Sequence, residues 1–204
     1  MKLSLFSHIL VLSFVADGLT NLVILQKFFC RLPLAQKFYV ILRESFFALI
    51  SMFILLFVGQ AIIRVLSAPQ ASIEVVSGFI IILLGIRAIL GLNQSEQWTK
   101  DIVDLHIKSK KLKIPLVSPI ALPLVIGPSW FSYLLTLTNH TLIHNYFMIS
   151  CSWIILVALL LTLFVLLGKF VTQKVCETIQ TITGLLITVI GVQLFIHGLQ
   201  LTFL

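Results

Sequence analysis

Two apolar stretches of this chain carry the residues whose types and spacing could do chemistry. The first holds Asp17, Thr20 and Asn21; the second holds Gly127, Pro128, Ser129 and Ser132. A carboxylate near the middle of a membrane-length apolar stretch costs about 2.5–3.5 kcal/mol on insertion scales, so Asp17 is a functional candidate by default. It could take up a proton, bind a cation or hold an amine. Its alternative role is a helix cap, accepting backbone N–H groups after Gly18. Arg43, Glu44 and Arg87 are candidate partners for it. The Gly127-Pro128-Ser129 run has different chemistry. Proline suits the first turn of a helix, and a restarted helix presents free N–H groups with a partial positive charge that can receive a carboxylate. An acid on one side and free N–H groups on the other would suit a zwitterion.

Both stretches are also polar on one face. Ser13, Asp17, Thr20 and Asn21 fall at i, i+4, i+7 and i+8; Ser129, Ser132, Thr136 and Asn139 fall at i, i+3, i+7 and i+10. Each set shares one side of a helix. The expectation is that both faces point into protein, either lining a solute path or bonding helix to helix. The stripe Thr181, Gly184, Thr188, Gly191 and Gly198 reads as helix-packing glue alone.

The elements that position these residues must be membrane helices. Of 204 residues, 59% are hydrophobic and 10% charged, against roughly 25% charged in a soluble domain. No water-facing surface can be built from that composition, which makes the chain an integral membrane protein. Six apolar segments are long enough to span, at 3–25, 43–66, 73–92, 116–138, 146–168 and 179–203. Lipid admits only helices and closed barrels, and runs of this kind do not alternate as barrel strands do. The fold class is therefore all-α, in one transmembrane domain over 1–204. The N-terminal stretch continues past Asp17 without a good cleavage pattern and reads as a retained first span.

The net charge of +7 reports topology and not nucleic acid. Eleven lysines and arginines fall in the first, third and fifth connectors, against Lys2 and Arg64 on the other side. The positive-inside rule then places those connectors in the cytoplasm and both termini outside.

The two polar stretches are interrupted in matching places, Asp17-Gly18-Leu19-Thr20-Asn21 in span 1 and Pro119 through Ser129 in span 4. Spans 3 and 6 share a further pattern: Ser77-Gly78, six residues and Gly85 recur as Thr183-Gly184, six residues and Gly191, at an offset of 106. The chain thus reads as two three-helix repeats, about 1–92 and 116–204, joined by a cytoplasmic connector at about 93–115. An odd number of spans inverts the second copy. Interrupted helices in corresponding places of inverted repeats mark the substrate site of many secondary transporters.

Other chemistry is sparse. Cys30, Cys151 and Cys176 lack metal-ligand spacing. His8, His140, His144 and His197 lie toward the outer side; His140 and His144 have i,i+4 spacing but read as polar loop residues. Nothing resembles a phosphate loop, a nucleophile elbow or a catalytic carboxylate pair, so the chain is not expected to be an enzyme, and no cofactor or metal is implied.

With its motifs on the page, the chain resembles the MarC family of membrane proteins over nearly its whole length. The family's second motif, approximately Pro-x-Ala-x-Pro-x-x-x-Gly-Pro-Gly, is met by Pro119, Ala121, Pro123, Gly127 and Pro128, with Ser129 in the last place. The first, approximately Asn/Asp-Pro-x-Gly-Asn-x-Pro, is met by Asp17 and Asn21, while Gly18, Thr20 and Val23 stand where Pro, Gly and Pro are usual. The resemblance implies six spans, an inner-membrane location, kinship with the lysine-exporter superfamily and, for some members, transport of small neutral amino acids. The expected function is secondary transport of a small polar solute, with a proton or sodium as coupling ion. The alternatives are a non-transporting scaffold and a metal or ion exporter.

Overall fold

The computed structural model of the chain describes residues 5–16, 19, 21–29, 33–91, 127–137, 142–167 and 172–203. Every regular element among them is helical: α1 Leu5–Val15, α2 Leu22–Phe29, α3 Leu34–Leu66, α4 Gln70–Ile89, α5 Pro128–Thr136, α6 Leu142–Leu161, continued by a π turn Thr162–Leu166, and α7 Gln173–Phe203. Four stretches are long and apolar enough to cross a bilayer: α3, α4, α6 with its π turn, and α7. Where the sequence expects span 1, the described residues hold two shorter helices, α1 and α2. That for span 4 is represented by α5, nine residues long.

The expected break at Asp17-Gly18 itself lies outside the described residues. Helix α1 ends at Val15, and Leu25 N–H donates to Asn21 O as α2 begins. Helix α5 begins where proline predicts a helix start. Gly127 is extended, Pro128 is the first helical residue, and Phe131 N–H makes the first bond, to Gly127 O. Proline costs nothing there because that N–H has no partner in the first turn. One boundary needs correcting. The second span is expected from residue 43, but α3 begins at Leu34, directly after Pro33. Its 33 residues make about 50 Å of helix, against a hydrocarbon core of about 30 Å. Lys37 and Arg43 therefore ride on a helix end and not in a loop. Only residues 67–69 separate α3 from α4, and Ser67 makes that reversal in the left-handed region, at φ 45°.

The short helices form the centre. Nearly all of α5 is buried, including Ser129, Trp130, Ser132, Tyr133, Leu134 and Thr136, and Leu12 and Val15 of α1 are fully buried against it. The long helices surround them and turn Phe46, Phe57, Phe79, Ile154 and Val189 outward, as a lipid-facing surface requires. Gly59 of α3 lets Phe131 and Leu135 of α5 approach its backbone; a methyl group there would lie 2.7 Å from a Leu135 carbon.

Helices α4 and α7 pack tightly on each other along their lengths. Gly78 meets Gly191 and Phe195; Gly85 meets Gly184 and Thr188; Gly198 meets Ala71 and Val75. A methyl group on Gly78 would stand 2.5 Å from Phe195 N, and one on Gly191 2.8 Å from Ile82 N. Backbone cannot give way as a side chain can, so these glycines are what permits the approach. The pairing is self-complementary. Moving 106 residues along the chain carries Gly78 onto Gly184 and Gly85 onto Gly191, so the two contacts exchange. Burial repeats at the same offset: Glu74 and Gln180, Ser77 and Thr183, and Ile81 and Ile187 are all buried. Thr181 departs from the expected glue stripe. It is exposed, and its hydroxyl donates to Glu177 O of its own helix.

Candidate functional site

The C-terminal end of α1 meets the N-terminal end of α5. Ser129, second residue of α5, donates its hydroxyl to Val15 O, last residue of α1, at 2.8 Å, and both residues are 0% exposed. The C-terminal carbonyls of a helix carry partial negative charge and the N-terminal N–H groups partial positive charge. The junction therefore brings opposite helix ends together inside an apolar surround of Leu12, Trp130 and Leu134.

Of the residues expected to form the site, Gly127, Ser129 and Ser132 are buried at this junction or one turn beyond it, and Pro128 is exposed. Asn21 is half-buried at the start of α2. Asp17, Thr20 and the motif residues 119–126 lie outside the described residues, as do Gly18, Cys30, Asn139, His140 and the lysines of the 93–115 connector. The expectation that the polar faces of spans 1 and 4 point inward holds for Ser13, Ser129, Ser132 and Thr136, all buried. The face argument is nevertheless weaker than it looks for α5, because that helix is buried nearly all round. Ser13 and Thr136 also turn their hydroxyls onto their own helices, bonding Ile9 O at 2.8 Å and Tyr133 O at 2.7 Å. The described part of the junction is closely packed.

Helix α5 is pinned at three further places. Tyr133 hydroxyl lies 2.9 Å from His8 Nδ1 of α1. Gln70 Nε2 of α4 donates to Thr136 O at 2.9 Å, and Asn145 Nδ2 of α6 donates to Leu137 O at 3.3 Å. The last two supply partners for carbonyls that a helix C-terminus leaves open.

One polar group there was missed in the sequence. Glu74 of α4 is buried, 7% exposed. Its Oε1 accepts from Gln70 Nε2 at 2.9 Å, and its Oε2 faces His197 Nδ1 of α7 at 2.5 Å. Glu74 stands at the second position of the expected third span and so read as an end residue. The signal that could have found it is its match at the 106 offset, Gln180, which is equally buried and donates to Ala88 O of α4 at 3.3 Å. His8 and His197 are likewise not loop residues; each is half-buried and has a partner from another helix. Arg43, a candidate partner of Asp17, pairs with its neighbour Glu44 at 2.6 Å, where Glu44 is buried. Among the described residues no three His, Cys, Asp or Glu side chains converge as a metal site.

Comparison with known proteins places this architecture. The profile described as MarC family integral membrane protein matches residues 3–203. A UPF0056 membrane protein of Buchnera aphidicola from the aphid Acyrthosiphon pisum is 28% identical over 202 residues, covering 98% of this chain and 97% of that protein. Its counterpart from Buchnera of Schizaphis graminum is 27% identical over 204 residues, covering 98% and 97%. The UPF0056 inner membrane protein YhgN of Escherichia coli K12 is 23% identical over 210 residues, covering 97% and 96%. No solved structure matches the chain. Matched from its third residue to its last but one, the chain belongs to the MarC family of integral membrane proteins.

Proposed function

We propose that this protein is a secondary transporter of a small polar solute, of the size and charge of a neutral amino acid, in the inner membrane. One observation carries the reading: the Ser129 hydroxyl to Val15 carbonyl bond that closes two half-helices on each other in a fully buried place. Its two partners are a donor at a positive helix end and an acceptor at a negative one. A zwitterion offers the complement of both. Its carboxylate would accept from Ser129 and the N-terminal N–H groups of α5; its ammonium would donate to Val15 O and to Asp17, two residues on. Exchanging one net hydrogen bond of about 1 kcal/mol for several charge-assisted ones favours an open, loaded junction over the closed one. Thr20, Asn21, Gly127, Pro128 and Ser132 would complete the lining, with a proton or sodium as coupling ion.

An inverted pair of three-helix repeats is part of this reading. The reciprocal contacts of Gly78 with Gly191 and Gly85 with Gly184, and the burial repeating at the same offset, are what a two-fold relation between spans 3 and 6 requires. The inner-membrane location is supported by the name of the Escherichia coli relative. The second reading, a non-transporting scaffold, is favoured by the close packing at the junction. The test is counterflow of labelled small neutral amino acids in reconstituted vesicles, with and without an imposed proton or sodium gradient. Flux above that of empty vesicles supports transport; its absence under every gradient supports the scaffold.

A further inference from the structure

The start of α5 carries a buried donor that the closed junction does not use. Trp130, third residue of that helix, is 0% exposed, and its Nε1–H has no acceptor. Comparable donors among the described residues are taken. The Trp153 indole donates to Ser45 O at 2.7 Å, and the Asn145 and Gln180 amides donate to Leu137 O and Ala88 O, each at 3.3 Å. What those two amides leave open is an acceptor oxygen. A buried N–H without a partner is the rarer case, since it forfeits the bond it would make to water. Phenylalanine would bury the same kind of surface without that cost. The position of the indole is also set by its helix. Side chains on a helix lean toward its N-terminus, and long aromatic ones cover the turn before their own Cα. For the third residue of α5 that turn is the helix start, where buried Gly127 is extended and Ser129 reaches Val15 O.

We propose that the Trp130 indole N–H is a binding group for the solute's carboxylate, received at the start of α5 when the junction opens. An indole N–H can only donate, and the helix start adds partial positive charge. Donors and positive potential together select a group that only accepts and carries negative charge, which is a carboxylate. Ser129 has to release Val15 O before it can bind a solute. Trp130 has no bond to release, so its charge-assisted bond counts in full toward the solute. The carboxylate is then the end of the solute that the site selects. An amino acid amide, which presents an N–H donor in its place, is refused. The proposal rests on the transport reading, and it names the group that sets the solute's chemical class.

The test reads the N–H directly. The full chain in lipid nanodiscs, isotope-labelled at the ring nitrogen of its three tryptophans, gives one indole N–H resonance for each in nuclear magnetic resonance spectra. That of Trp130 is identified by its loss in Trp130→benzothienylalanine, an analogue that keeps the ring shape with sulfur in place of N–H. Glycine, L-alanine and L-serine are added in turn, and L-alaninamide serves as the probe without a carboxylate. The expected result is a saturable downfield shift of the Trp130 N–H proton with at least one of the three amino acids and none with the amide. The Trp153 resonance, already bonded to Ser45 O, should stay in place. In vesicles, Trp130→benzothienylalanine should raise the half-saturation concentration for flux roughly tenfold to a hundredfold, the range of a hydrogen bond to a charged group. A half-saturation equal to the parent's, or an equal shift with the amide, overturns the proposal. Flux without a Trp130 shift keeps the transporter and removes the carboxylate site. A shift without flux keeps the site and removes the transporter, and the absence of both removes both.

Discussion

At the residue scale, the account turns on polar groups that can leave water only with partners. Ser129 is buried and gives its hydroxyl to a carbonyl of another helix. Replacing it by Ala removes that donor and leaves the Val15 carbonyl without it. The expected loss is about 1 kcal/mol of stability, measurable as a lower denaturation midpoint in detergent. Asp17→Asn keeps the shape of its side chain but removes the charge. It should leave abundance in the membrane normal while lowering affinity for a zwitterion, read as a raised half-saturation concentration in vesicle flux. That Ser129 and Ser132 face protein was legible in the sequence, because Gly127-Pro128 announces where a helix begins. Glu74 was missed for a physical reason. A carboxylate near a span end normally reaches water, and only the approach of His197 from α7 and of α5 through Gln70 closes over it.

At the scale of elements, the glycines of α4 and α7 separate by what surrounds them. A methyl group on Gly78 would meet backbone nitrogen at 2.5 Å, whereas one on Gly184 would first meet Ala88 Cβ and Gly85 O at 3.0 Å. Gly78→Ala should therefore destabilise more than Gly184→Ala. The larger of the two is expected in the range of about 1–3 kcal/mol usual for overpacking, and thermal denaturation of the two variants checks the order. The glycine pattern of spans 3 and 6 was legible because close backbone approach needs the smallest residue at a fixed period. Span ends were less legible. Hydropathy marks where a segment leaves lipid and not where its hydrogen bonds stop, so α3 runs back to Pro33 through Arg43 and Lys37. The end of α1 at Val15 lies just before Asp17-Gly18, where the sequence expects a break although neither proline usual in the family motif is present.

At the scale of the whole molecule, the described residues place the short helices α1 and α5 in contact and four long apolar helices with side chains turned outward. The lysine and arginine distribution predicts both termini outside. A periplasm-active reporter fused after Leu204 should be active, and one inserted near Lys110 should be silent; the opposite pattern would reverse the orientation. Composition was enough to establish a helical membrane protein, because nothing else tolerates so few charges. That spans 1 and 4 touch was only implied by the repeat; the bond between Val15 and Ser129 joins α1 to α5. The central claim is that this junction is where solute passes. The most direct measurement is flux of a labelled small neutral amino acid in vesicles holding equal amounts of the parent protein and of Ser129→Leu. The account predicts gradient-driven flux in the parent and its loss in Ser129→Leu, whose side chain fills the space between the helix ends. Parental flux in Ser129→Leu at equal abundance, or no flux in either, would contradict it.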